Sequence, residues 1–172
     1  MPSPKGTKRV GVSMRVELHK RGPFQSSQEE VYLAVMRTAS VLGVVFDRFL
    51  KGHGLSQGGY NVLRILRGAG AQGCLCNQIG EHLVAHVPDV TRLVSRLERA
   101  GLCVRVRSEQ DRRGVCVRLT PAGEALLARL HEPMLDLHRE QLRTLKAGES
   151  AELLRLLSLC RDGAREQSQG QG

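Results

Sequence analysis

Aromatic side chains are nearly absent from this 172-residue chain: it has no tryptophan, two tyrosines and three phenylalanines. An aromatic cage around a cationic ligand is therefore not expected. The core has to be built from Leu, Val, Ile and Ala. Apolar runs of the ~18 or more residues that a membrane-crossing helix needs are also missing. The N-terminal stretch lacks the apolar centre of a signal peptide, so a cytoplasmic protein with no membrane partner is expected. Five cysteines (74, 76, 103, 116 and 160) are odd in number and follow no disulfide-scaffold rhythm, so free thiols are expected. There is no GxGxxG, no Walker loop, no GxSxG and no cluster of carboxylates in an apolar setting. These absences argue against an enzyme, and no cofactor is expected.

What is present is charge. Lys and Arg number 26 against 17 Asp and Glu, a formal +9, while a hydrophobic fraction of 41% is enough for a real core. A basic chain suggests a polyanionic partner, nucleic acid before an anionic membrane surface. The excess sits in two segments. Residues 1–27 carry six basic groups against one acidic, and residues 88–118 carry eight against four. The second segment uses arginine only, whose planar fork suits phosphates and guanine edges.

Along the chain, residues 1–26 read as a mobile basic arm with a short strand at Val10–Leu18. Ser27-Gln28-Glu29-Glu30 has capping-box spacing, and apolar residues at 31, 34, 35, 42, 45, 46 and 49 extend a helix to about Leu50. Lys51–Gly54 ends it through a left-handed glycine. Ser56 opens a second helix to about Arg67, and Gly68–Gly73 reads as a flexible break. A short helix over Cys76–Leu83 and a turn over 84–87 follow. Pro88 suits the first turn of the next helix, about 13 residues and about 20 Å long. Val90, Leu93, Val94, Leu97 and Ala100 form its inner face, and Arg92, Arg96 and Arg99 line another. Two β-rich runs, Leu102–Arg107 and Val115–Leu119, read as a hairpin whose tip, Ser108–Gly114, is charged. Thr120 and Pro121 open a helix that Pro133 is expected to kink or break. A last helix spans 149–161, before a frayed tail at 163–172.

Helix, short helix, helix, charged hairpin and helix is the order of a winged helix-turn-helix, mainly α with a small β-hairpin wing. In that fold the helix from Pro88 enters the DNA major groove and the hairpin reaches beside it. Pro88, Asp89, Thr91, Arg92, Ser95 and Arg96 then become candidate DNA contacts. Arg92 is the best base reader, and Arg96 and Arg107 are better phosphate partners. Asp89 either accepts from a cytosine amine or caps the helix, and the cap is the favoured reading.

The stretch Val90-Thr91-Arg92-Leu93-Val94-Ser95-Arg96-Leu97-Glu98-Arg99-Ala100-Gly101-Leu102 is followed at fitting spacing by Asp111-Arg112-Arg113 and Leu119-Thr120-Pro121-Ala122-Gly123. With Leu55-Ser56 and Tyr60-Asn61-Val62-Leu63, it resembles the multiple-antibiotic-resistance regulator (MarR) family of bacterial transcription factors over roughly residues 28–160. The resemblance implies an obligate homodimer on a pseudo-palindromic operator. Residues 27–54 and 121–162 would form the helical dimerisation region, and 55–120 the DNA-binding domain. It implies a regulator, usually a repressor, released by a small molecule or an oxidant. Carried over, Asp111 orients Arg113 into the minor groove and Arg112 lies near the backbone. Family sensors often bind aromatic acids between the dimerisation helices and the winged domain, where Arg37, Phe46, His53, Tyr60 and Arg64 could line a cleft. Packing and surface charge are the blander account of those five.

Other readings stay beside these. Arg99 reads equally as a solvated arginine, and Arg105 and Arg118 as cross-strand surface residues without a direct DNA role. Cys74-Leu75-Cys76 lacks the second ligand pair of a zinc site, and His82 and His86 are separated by the expected turn, so no metal is expected. Peroxide-sensing relatives carry a reactive cysteine in the first helix, whereas Val31–Leu50 has none. A redox-responsive regulator, and a winged helix used only for protein contacts, are the alternatives.

Overall fold

The computed structural model describes residues 13–85, 87–107 and 115–169. The chain divides between Gln57 and Gly58 into two units.

The first unit holds helices α1 (Met14–Glu17) and α2 (Ser27–Lys51). In place of the expected strand, residues 14–17 form one helical turn, and residues 1–12 lie outside the described residues. The described part of the expected arm does not hang free. Glu17 pairs with Arg37 of α2 at 3.5 Å, and Lys20 pairs with Glu29 at 3.5 Å while lying over the Phe24 ring. The cap of α2 is one residue earlier than expected. Ser26 Oγ accepts the Glu29 N–H at 3.1 Å, and the Glu29 carboxylate accepts the Gln25 N–H at 2.6 Å. The doubled sequence Ser26-Ser27…Glu29-Glu30 offers the same box in two registers, so spacing alone could not choose. At the far end Gly54, not Gly52, takes the left-handed conformation, and the Leu55 N–H donates to Leu50. Many apolar residues of α2 are uncovered: Val31, Val35 and Val45 of the expected stripe are exposed, and so are Tyr32, Met36, Val41 and Val44 beside it.

The second unit continues α3 (Gln57–Ala69) through one 3₁₀ turn into strand β1 (Cys74–Leu75). Helices α4 (Cys76–His82) and α5 (Val90–Arg99) follow, then strands β2 (Cys103–Arg107) and β3 (Val115–Leu119), and helices α6 (Pro121–Gln141) and α7 (Ala147–Gln169). The sheet is antiparallel in the order β1-β3-β2, with Cys74 opposite Val117 and Arg105 opposite Val117 on the other side. Strand β1 replaces part of the expected flexible break. Gly73 makes it possible: its φ is +73°, and a Cβ there would stand 2.5 Å from the Val117 carbonyl oxygen. A glycine-rich run thus serves close backbone approach as well as looseness.

Val62, Leu63 and Leu66 from α3, Ile79 from α4, Val94 and Leu97 from α5, and Val117 from β3 are buried, as are Leu126, Leu127, Leu130 and Met134 of α6. This is the aliphatic core that a chain poor in aromatics requires. Two helix expectations are corrected. Pro133 does not break α6, which runs on to Gln141. Pro133 and Arg129, whose carbonyl loses its donor, are both exposed, so water can replace the missing hydrogen bond. The expected frayed tail is helical as far as Gln169, consistent with its Ala, Arg, Glu and Gln content, while residues 170–172 lie outside the described residues.

Candidate nucleic-acid interface

Helix α5 is built to show one face. Val94 and Leu97 are buried and Val90 and Leu93 half-buried, while Thr91, Arg92, Arg96 and Arg99 are exposed. Ala100, expected on the inner face, is exposed beyond the helix end. The helix has 10 residues, about 15 Å, rather than the expected 13. It is shorter because Pro88 and Asp89 stand before it. Asp89 is the N-cap, and its Oδ1 accepts the Arg92 N–H at 2.8 Å. The capping reading of Asp89 is thus satisfied by geometry, and Pro88 precedes the cap rather than occupying the first turn.

Ser95 is half-buried, and its hydroxyl donates to the Thr91 carbonyl at 2.9 Å. Arg99 Nε donates to the Ser95 carbonyl at 3.4 Å, along the helix's own surface. Arg107 is exposed at the end of β2, opposite Val115. Asp111, Arg112 and Arg113, the expected wing-tip contacts, lie outside the described residues.

Arg105 is the residue that sequence reasoning undervalued. Its guanidinium pairs with Glu98, and its Nη2 donates to Ser95 Oγ at 2.9 Å and to the Thr91 carbonyl at 3.2 Å. Its backbone N–H donates to Glu98 Oε1 at 3.0 Å. The sequence signal is only an acid and a base straddling the turn between α5 and β2, which solvated surfaces also produce. Thr120 reads from sequence only as a cap. It does cap α6, accepting the Gly123 N–H at 3.1 Å, but its hydroxyl also donates to the Gly101 carbonyl at 2.6 Å. That ties the start of α6 to the end of α5.

The residues suggested for a ligand cleft are distributed between the units. In the first, Arg37 is held by Glu17, and it stands about 13 Å along α2 from half-buried Phe46. His53 tilts against Phe49 at 5.0 Å between ring centroids. In the second, Arg64 Nη1 donates to the Tyr60 hydroxyl at 3.2 Å and its guanidinium lies over that ring.

Among the described residues, no three His, Cys, Asp or Glu side chains converge on a metal-sized site. The cysteines are free. Burial, helped by the Glu98 charge, pushes the Cys103 thiol up to about 11. Burial, followed by the neighbouring Cys116 and Cys76 and then Glu81, also raises Cys74. Both therefore remain thiols near neutral pH, which is the unreactive form. No described helix is long and apolar enough to cross a membrane.

A family model described as the MarR family matches residues 55–115, the span from the end of the first unit through β2 to the start of β3. Among curated proteins, none matches the chain in sequence. A crystal structure of a MarR transcription factor from Planctomyces limnophilus is 39% identical, with a TM-score of 0.61, and the match covers 80% of this chain and 99% of that one. Sco3205, a MarR family transcriptional regulator from Streptomyces coelicolor solved in complex with DNA, is 22% identical with a TM-score of 0.73, covering 84% and 92%. BpsR of Bordetella bronchiseptica, whose DNA binding is regulated by 6-hydroxynicotinic acid, is 22% identical with a TM-score of 0.68, covering 77% and 98%. The last two share the winged helix-turn-helix fold. Identity with the Planctomyces protein across most of both chains goes further: this chain belongs to the MarR family, whose members are transcription regulators and not enzymes.

Proposed function

We propose that the chain acts as a cytoplasmic homodimer that binds a pseudo-palindromic DNA operator and represses transcription until a small molecule releases it. The observation that carries the DNA contact is the two-sided character of α5. Val94 and Leu97 are buried on one side, and Arg92 and Arg96 are exposed on the other. Such a helix can offer guanidinium groups to a groove without disturbing its own packing. Arg92, in the first turn next to the capped N-terminus, reads a base edge. Arg96 and Arg107 neutralise phosphates, and Arg113, oriented by Asp111, enters the minor groove beside Arg112. Asp89 caps the helix and does not read a base.

Dimerisation is supported by the uncovered apolar residues of α2 and by Leu153, Leu154, Leu156 and Leu159 of α7, all exposed in the single chain. Seven exposed apolar side chains on α2 alone make a costly surface for a monomer in water. The release step is supported by the Bordetella relative, whose DNA binding responds to an aromatic acid. Arg64 and Tyr60, already in contact, give a cation and a phenol suited to a carboxylate on an aromatic ring.

The test begins with sedimentation to establish the dimer. A duplex is then selected by the protein from a random-sequence library and titrated at several salt concentrations. Binding to an inverted repeat that weakens steeply with salt is the expected result. A monomer, or no selection of any duplex at low salt, rules the reading out.

A further inference from the structure

The three partners of Arg105 on α5 are Thr91, Ser95 and Glu98, spaced along one stripe of the helix. A second tie lies beside them, where Cys103 Sγ donates to the Val94 carbonyl at 3.8 Å. The strand that carries Arg107 toward the wing is therefore fastened to the helix that carries Arg92 and Arg96. We infer that Arg105 is a positioning residue for DNA recognition: it locks wing and recognition helix at one relative angle, and it does not itself touch DNA. The inference rests on the DNA-binding reading above.

Three features separate this role from a phosphate contact. The charge of Arg105 is offset by Glu98, so little of it remains for a phosphate. Its Nη1 donates to that carboxylate and its Nη2 to the Ser95 hydroxyl and the Thr91 carbonyl, so three of its five donors are directed to α5. The Arg105 and Glu98 side chains are 26% and 35% exposed, so the pair is part-buried rather than fully out in solvent. Only a planar fork reaches a carboxylate, a carbonyl and a hydroxyl together, and an ammonium group does not. Without the lock, helix and wing have to be ordered against each other at the moment of binding. That cost falls on the specific complex, in which both elements must fit at once. Loose electrostatic association with any duplex does not require it.

The experiment uses the full-length protein, a duplex that the wild type selects from a random library, and a scrambled duplex of equal length. Arg105→Lys keeps the charge and removes the fork. Circular dichroism first establishes that it is folded at the binding temperature. Its affinity for the selected duplex should fall about tenfold, in the range of coupling energies for contacting residues. Affinity for the scrambled duplex should stay within about twofold, and the slope of log affinity against log salt should not change. Glu98→Gln gives the sharper contrast. It adds a unit of net positive charge yet should also weaken the selected complex, while scrambled binding holds or strengthens. If Arg105→Lys does not fold, Glu98→Gln decides alone. An unchanged ratio of selected to scrambled binding overturns the inference. So does a parallel loss on both duplexes in Arg105→Ala with the slope reduced by about 0.9, the mark of one phosphate partner. Failure of the wild type to select any duplex overturns the DNA-binding reading instead.

Discussion

The carboxylate of Asp89 accepts the backbone N–H of Arg92, three residues on, at 2.8 Å. On the surface proposed to meet DNA an acidic group would repel phosphates, so its presence there needs a reason. The cap supplies one, because the first turn of α5 otherwise leaves its N–H groups without partners. Asp89→Ala should destabilise the protein by about 1 kcal/mol, and Asp89→Ser should restore most of that. Urea unfolding of the three proteins measures it. If Asp89 read a cytosine instead, Asp89→Ser would lose preference at one base pair of a selected duplex while keeping its stability.

The arginines of α5 should separate by role. Arg92→Ala should cost about 1–3 kcal/mol on a selected duplex and relax the preference at one position. Arg96→Ala and Arg107→Ala should weaken all duplexes alike and lower the salt slope by about 0.9 for each phosphate left unneutralised. Titrations over a salt series, on selected and scrambled duplexes, distinguish the two behaviours. A uniform loss in Arg92→Ala would move it into the phosphate class.

How far the sequence carries these assignments depends on the kind of signal. The order of helices and the two long strands follow from caps, apolar periodicity and glycine stops, which are local. Asp89 can be read as a cap because an acid stands directly before a periodic run. Strand β1 is not legible. Two residues after a glycine-rich run have no period, and their strand character comes from pairing with β3, over 40 residues away. The same holds for Arg105. A charged residue in a strand looks the same whether it faces water or clamps a helix, and only the folded register brings it to Thr91, Ser95 and Glu98. The register of the α2 cap is hidden by a duplicated motif, a degeneracy that tertiary contacts resolve.

Among the described glycines, Gly123 has the tightest surroundings. A Cβ there would overlap the Leu102 carbonyl oxygen and press on the Leu119 side chain. Backbone does not yield as a side-chain tip does, so Gly123→Ala has to push α6 away from the start of β2. The expected loss is about 2–4 kcal/mol, although alanine is the better helix former. Chemical denaturation measures it, and stabilisation instead of loss would mean that α6 can shift freely. Thr120→Val should cost about 1–2 kcal/mol, because it removes both the α6 cap and the bond to Gly101.

The wing assignment can be tested at Arg113. It follows Asp111 at the spacing that the family resemblance assigns to a minor-groove arginine. Arg113→Ala should reduce affinity for a selected duplex about tenfold or more at physiological salt. Asp111→Ala should produce a smaller loss of the same kind if its role is to orient Arg113. Near wild-type affinity in Arg113→Ala sinks the wing assignment.

Cys103 links burial to pH. Its thiol is raised to about 11 from an ordinary value of 9.0, chiefly by burial. In the unfolded chain the thiol ionises near its ordinary value, while the folded protein holds the proton to higher pH. Between those two values the unfolded state binds fewer protons, so stability falls as pH rises. Well below pH 9 both states are protonated and Cys103 contributes no slope. Unfolding free energies at steps from pH 8 to 11 should therefore fall more steeply for the wild type than for Cys103→Ala, above about pH 9. The difference between the two curves removes the tyrosine and lysine contributions they share. The same burial predicts the order of alkylation by iodoacetamide at pH 8: exposed Cys160 reacts first, and Cys103 only on unfolding. Fast modification of Cys103 in the folded protein, or parallel stability curves, would show that its thiol is not shielded.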